Sequence, residues 1–239
     1  MEGVIQAVLY QYDYGLIYLL TVLYFALLYF GIGFLFLQGC KFLAAKKILS
    51  VISPGAIEPR QTRFEVLHSI QSILIFGFSS LPIIYLIRNA AITLIADSLL
   101  HVATGLLILS LWNELHFFVV HRIMHTRFFM QRVHVVHHRS KISTVYAVFS
   151  FHWLEALLLS TVPLTIVPFI SFAPLAIFLY PLASILLNFA GHCNYRFGKG
   201  TSRSWLGFAT GHNKHHYKNA KRYGFALSIF DKLFSPDHK

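Results

Sequence analysis

The chain has 239 residues, 56% of them hydrophobic and only 12% charged, with a mean hydropathy of +0.61. Soluble domains carry about twice that share of charged residues, so the composition excludes an ordinary water-soluble globule and points to a membrane protein. A formal charge of +11 would suit nucleic acid, but in so apolar a chain anionic lipid headgroups are the better partner for a basic face, and no nucleic-acid partner is expected.

Residues 1–14 are short, mildly acidic and aromatic, and Tyr10, Tyr12 and Tyr14 suit an interfacial start. Glu2 and the lack of a basic leader argue against a cleavable signal peptide. From Gly15 to Gly39 the sequence is almost wholly apolar, and a bilayer core of about 30 Å takes roughly 20 helical residues, so a spanning helix is expected. Residues 40–65 hold Lys41, Lys46, Lys47, Arg60 and Arg63, with a Pro54-Gly55 break, and read as an aqueous or interfacial connector. Val66–Ile87 is a second apolar stretch, containing His68 and Pro82. Arg88–Asp97 is a short turn, and Leu99–Val120 is a third span that runs directly into a histidine cluster. Leu154–Phe189 is apolar but broken by Pro163, Pro168, Pro174 and Pro181. Its length predicts a hairpin of two spans turning near Ser171–Pro174.

The expected fold is therefore all-α, with about four to five membrane helices and a histidine-rich helical cap. Residues 1–98 form N-terminal membrane helices and their connector, and residues 99–239 a catalytic domain. With five spans, one side carries residues 1–14, the 88–98 turn and the 171–174 turn, and holds Arg88 alone of the 20 Lys and Arg. The positive-inside rule places the other side in the cytoplasm. The same layout puts every histidine cluster on that side, although it was built without reference to them.

Cys40 and Cys193 are the only cysteines and form no CxxC, which removes thiolate zinc and iron–sulfur sites. The chemistry lies in histidine. Nine of the 14 histidines fall in His121-x-x-x-His125, His134-x-x-His137-His138, the single His192, and His212-x-x-His215-His216. Spacings of three and four put side chains on one helix face, so each cluster can aim two or three imidazoles at one point. Neutral imidazole binds iron, zinc and copper, and nine exceed the needs of one ion, so two metals are implied. The pattern of paired Glu and Glu-x-x-His ligands that soluble di-iron bundles use is lacking, and spacing alone leaves the three metals open. His68, His101, His116 and His238 are isolated and read as structural.

This motif set resembles the fatty acid hydroxylase / sterol desaturase superfamily of integral-membrane enzymes over about residues 110–235. Arg122 follows His121 as in that family's HRxxH. His152-Trp-Leu-Glu155 resembles its His-Pro-x-Glu, with Trp for Pro. Tyr223-Gly224 and Asp231-Lys-Leu-Phe234 are similar to its Tyr-Gly and its Trp-Asp-x-x-Phe tail. The chain departs from the pattern at Glu114 (often Asp), Phe118 (often Tyr) and Arg222 (often Asn), and at Asn188, where related fatty acid 2-hydroxylases carry a further histidine.

The resemblance implies a non-haem di-iron centre with the nine clustered histidines as ligands. Glu114, His152, Glu155, Asn188 and Asp231 would orient the imidazoles through hydrogen bonds. It implies O₂, two external electrons and attack on an unactivated C–H bond of a sterol- or acyl-type membrane lipid by hydroxylation or desaturation. A helix continuous from the membrane into His125 would put the metals at the end of a slot that lipid enters laterally. The chain contains neither GxGxxG nor His-Pro-Gly-Gly, so electrons are expected from a separate ferredoxin- or cytochrome b5-type protein. The basic run Lys218–Arg222 reads first as a solvated or headgroup-facing edge, and second as a dock for an acidic electron donor. A short chain without a fused redox domain or retention signal favours a bacterial inner membrane over the endoplasmic reticulum. The competing readings are a zinc-dependent membrane hydrolase using the same histidines and a metal transporter, whose ligands should lie near the bilayer midplane.

Overall fold

In the computed structural model the described residues are 2–198, 207–218, 223–227 and 229–234. They are helical apart from one short β-ladder and loops. In order they form α1 (Glu2–Tyr10), α2 (Tyr14–Ala26), a π-helical turn at Leu27–Ile32, α3 (Gly33–Ala45), α4 (Pro59–Gly77), α5 (Ser80–Arg88), α6 (Leu99–Met124), α7 (Arg127–Phe129), a second π-turn at Met130–His134, α8 (Val135–His138), α9 (Trp153–Ser160), α10 (Pro174–His192), α11 (Phe208–Lys218) and α12 (Ile229–Phe234). Among the described residues, four stretches are long and apolar enough to cross a membrane: Tyr14–Ala45, Pro59–Arg88, Leu99–Met124 and Pro174–His192. Their outward faces carry exposed Leu19, Leu23, Phe34, Leu74, Leu107 and Phe178, surface that lipid solvates and water does not.

The expected hairpin over Leu154–Phe189 needs correction. Its second half is α10, but its first half is no span-length helix. α9 stops at Ser160 and continues as a 3₁₀ turn (Pro163–Thr165) and irregular chain. Pro163 and Pro168 cannot donate the backbone hydrogen bonds that a continuing helix requires. The segment nevertheless runs the full length of α6. Thr161 meets His116, the Trp112 indole donates to Thr165, and Ile95 N donates to the Phe172 carbonyl. Side chains and neighbouring backbone satisfy it at membrane depth.

The ends of the molecule separate as the charge count implied. Thr93 pairs with Ser171, Leu175 N donates to Asp97, and Arg88 donates to the carbonyls of Leu9 and Tyr12. Residues 2–13, the 88–98 turn and the 171–174 turn thus share one end. At the other end the 46–58 connector is fastened to the chain following His192. There, β1 (Ser50–Val51) pairs antiparallel with β2 (Tyr195–Arg196). Asn194, at positive φ, brackets the Ser53 peptide, accepting from its N–H and donating to its carbonyl. A core of Tyr29, Phe76, Val148, Phe149, Ile185 and Phe189 lies toward this end, and another of Ile17, Ile83, Ile87, Leu109 and Phe172 toward the opposite one. Cys40 and Cys193, distant in sequence, both fall in the first core as free, buried thiols.

Candidate metal centre

All nine clustered histidines converge. They form two groups, and within each the ligand atoms lie within 4.8 Å of one another: His121, His125, His134, His138 and His215 in one, His137, His192, His212 and His216 in the other. The groups are neighbours, with the His138 ring 4.9 Å from that of His216.

The expectation that each HxxHH aims at one point is corrected. His134 and His138 join the first group while His137 enters the second. His212 and His216 join the second while His215 enters the first. Residues four apart share a helix face, whereas adjacent residues diverge by about 100°. Each histidine doublet therefore straddles the two groups, and each HxxHH serves both. The π-turn at Met130–His134 leads into α8 and sets where His134 falls.

The geometry fits metal. The Nε2 atom of His125 lies 3.2 Å from that of His121 and 3.0 Å from that of His215. The Nε2 of His192 lies 3.0 Å from that of His212 and 3.4 Å from that of His137, and His216 stands 3.2 Å from His212. Metal–nitrogen bonds of about 2.0–2.1 Å at octahedral to tetrahedral angles separate nitrogens by about 2.8–3.4 Å. The tautomers agree. The Nδ1 of His192 is 2.9 Å from the Asn188 carbonyl, and that of His121 is 3.0 Å from the Tyr223 carbonyl. A carbonyl only accepts, so Nδ1 carries the proton and Nε2 presents a lone pair to its neighbours. Neutral imidazoles have too few protons to make every such contact a hydrogen bond, and facing lone pairs repel unless a cation lies between them.

The electrostatics also favour neutral rings. Burial first, then the neighbouring imidazoles, push His125 and His138 down to about 3. The same causes hold His134, His137, His212 and His216 well below the usual histidine range. Burial drives Glu155 well above the carboxylate range. Its Oε1 lies 2.8 Å from Nδ1 of His134, both side chains being buried. Burial alone thus favours the neutral pair. A cation held by the first group would favour the carboxylate, which then accepts the Nδ1 proton and leaves Nε2 free to ligate.

The five residues expected to orient imidazoles divide sharply. Glu155 does so directly. Among the described residues Glu114 and Asp231 bond no histidine; both clamp the 223–227 loop. Glu114 accepts from Ala226 N at 2.7 Å and Leu227 N at 3.1 Å, and Asp231 accepts from Tyr223 N at 2.8 Å and from Gly224 N. The Tyr223 carbonyl of that loop in turn holds His121. A Cβ on Gly224 would collide with the Leu227 carbonyl, which accounts for the glycine after Tyr223. Asn188 serves His192 through its backbone, not its side chain. His152 caps α9, its Nδ1 accepting from Leu154 N, and no bond to another imidazole is seen among the described residues. Sequence reasoning missed the Tyr223 carbonyl and Asn213, whose amide donates to Gly191 O and ties α11 to α10. The only sequence signals were the Tyr-Gly pair and the position of Asn213 between ligands.

The isolated histidines behave structurally: His68 and His101 bond nearby carbonyls, and His116 bonds Thr161. His238 lies outside the described residues.

An apolar cavity of about 640 Å³ runs among α1, α2, α5, α6 and α10. Phe117, Phe151 and Asn188 line it toward the histidines. The Phe117 ring sits 4.9 Å from that of His121, and the Phe151 ring 4.9 Å from that of His137. A lipid-sized apolar space therefore ends against both histidine groups.

A family model described as fatty acid hydroxylase matches residues 106–235, more than half of the chain. The chain belongs to the fatty acid hydroxylase family, within the fatty acid hydroxylase / sterol desaturase superfamily. Neither a curated protein nor a solved structure matches it.

Proposed function

We propose that this chain is an O₂-dependent di-iron enzyme that hydroxylates or desaturates an unactivated C–H bond of a membrane lipid of the acyl or sterol type. The single observation that carries the reading is the abutment of two adjacent imidazole groups on a lipid-sized apolar cavity. His121, His125, His134, His138 and His215 would hold one iron, and His137, His192, His212 and His216 the other. Bound iron would supply the high-valent oxidant that such a C–H bond requires and that side-chain acid–base chemistry does not provide.

The chain's own residues do the remaining work. Phe117 and Phe151 press on His121 and His137 and exclude water from the side facing the cavity. Glu155, the Tyr223 carbonyl and the Asn188 carbonyl hold the Nδ1 protons of His134, His121 and His192, which directs each Nε2 inward. His125, half-buried at the end of α6, gives the first group an edge toward the surface and a route for electrons from a separate ferredoxin- or cytochrome b5-type carrier. The Lys218–Arg222 run lies largely outside the described residues. The charge asymmetry between the two ends favours a cytoplasmic histidine end, in a bacterial inner membrane or in the endoplasmic reticulum of a eukaryote.

The test is metal analysis of protein purified in mild detergent from iron-supplemented cells, with O₂ uptake on addition of reductant. Two irons per chain and reductant-dependent O₂ uptake are expected. Stable zinc with no O₂ uptake would replace this reading with the hydrolase.

A further inference from the structure

The end of the cavity farthest from the histidines is built by a part of the chain that the family match does not reach. α1 presents Val4, Ile5, Val8 and Leu9 to it, joined there by Ile87 and Leu94. These lining side chains are all apolar, and the nearby Thr21 and Ser80 hydroxyls are bonded to each other, so this wall suits hydrocarbon better than a headgroup. α1 is also fastened in place. Arg88, the one Lys or Arg at this end among the described residues, donates from Nε to the Leu9 carbonyl at 2.7 Å and from Nη2 to those of Tyr12 at 2.6 Å and Val8 at 3.3 Å. It thereby satisfies carbonyls that a helix C-terminus leaves without partners. Arg88 also lies over the Tyr14 ring, 5.1 Å from its centroid.

Pro174 and Asn188 line opposite ends of the cavity along α10. Fourteen residues of helix span about 21 Å, more than half of a hydrocarbon core roughly 30 Å thick. One acyl chain of one leaflet fits that length.

We infer that α1, pinned by Arg88, is the end wall of a tail-first acyl channel and sets the longest chain the protein accepts. The inference rests on the lipid-oxidising reading and adds the substrate class and the residues that select it. The tail lies against α1, and the polar end of the lipid stays on the histidine side. The C–H bond presented to the centre is therefore displaced from the methyl terminus.

The experiment binds a ladder of saturated fatty acids of increasing length to the iron-loaded protein in mild detergent, read by native mass spectrometry. Ile5→Trp and Leu9→Trp should weaken the longest acids retained by about tenfold, the effect of leaving roughly two methylenes unburied. Shorter acids should bind as they do to the parent. Ile5→Ala should extend the ladder to longer acids, and Arg88→Met should blur the length cut-off. Iron content serves as the control for folding, and the half-buried Ile5 provides a mild variant should the buried Leu9 disrupt the helix. An unchanged length profile in iron-loaded Ile5→Trp, or a parent that retains no acid of any length, would overturn the inference. Length-selective binding without O₂ uptake would keep the channel and sink the oxidation chemistry instead.

Discussion

The two histidine groups are assembled from the same motif pieces, yet their surroundings differ. The first has five imidazoles, a half-buried edge at His125, a buried carboxylate behind His134 and a loop carbonyl behind His121. The second has four, each less than about a tenth exposed, and is braced by the Asn188 carbonyl, with no carboxylate among the described contacts of its histidines. A five-membered group can lose a ligand and still hold a metal. A four-membered one falls to three, the number that a catalytic ion uses only when its last position is left open. The first group is thus tuned by its supports, and the second depends on its complete ligand set.

The largest expected effect follows from that contrast. His137→Ala should abolish iron at the second group and turnover together, a loss of more than about 100-fold. His125→Ala, removing the edge ligand of the larger group, should cost about tenfold in iron affinity. Metal content and reductant-driven O₂ uptake measured on both variants would reverse the comparison if His125→Ala proved the worse. Next comes Glu155→Ala, expected to weaken iron in the first group by about 10–100-fold and leave the second occupied. Glu155→Gln, which keeps an acceptor for Nδ1, should do less. Iron-specific spectroscopy that resolves the two ions distinguishes these outcomes. Asp231→Ala should act more weakly on the same group, because it frees the 223–227 loop and touches His121 only through the Tyr223 carbonyl. A charged acceptor of backbone N–H groups contributes about 1.5–3 kcal/mol, so the apo protein should lose thermal stability by a similar amount.

Acid sensitivity tests the burial of both groups in the metal-free protein. In the metal-free fold His125 and His138 titrate near 3, whereas in the unfolded chain histidine titrates near about 6.5. Between these values the unfolded state binds protons that the fold refuses, so stability should hold above about pH 6.5 and fall steadily toward pH 3. Melting temperatures of the apo protein across this range check the sign; a rise on acidification would contradict it. Iron should leave over the same window, because protonated imidazole does not ligate.

Much of this centre was legible in the chain. All nine histidines were identifiable by spacing, and each lies in one of the two groups. The segregation of the ends was legible in the lysines and arginines, with Arg88 alone on one side. The supports were less so. Glu155 stood out within His-x-x-Glu, but Glu114 and Asp231 work through a loop more than a hundred residues from the histidines of α6 in the first case, and local periodicity carries no trace of such a contact. Asn188 contributes a carbonyl, which every residue has, so its side chain gave no signal. The broken traverse after Ser160 was signalled by Pro163 and Pro168, yet length alone suggested a span.

The sequence by itself determined which residue types meet, how many, and at which end of a membrane-spanning helical chain, because ligand chemistry, helical period and charge bias are local properties. Only the tertiary structure decided that each HxxHH is shared between two groups, that a distant loop steadies His121, and that α1 closes the far end of the cavity. Those outcomes depend on how separate helices pack against one another, and the period of a single helix constrains its own face without naming the partner it will meet.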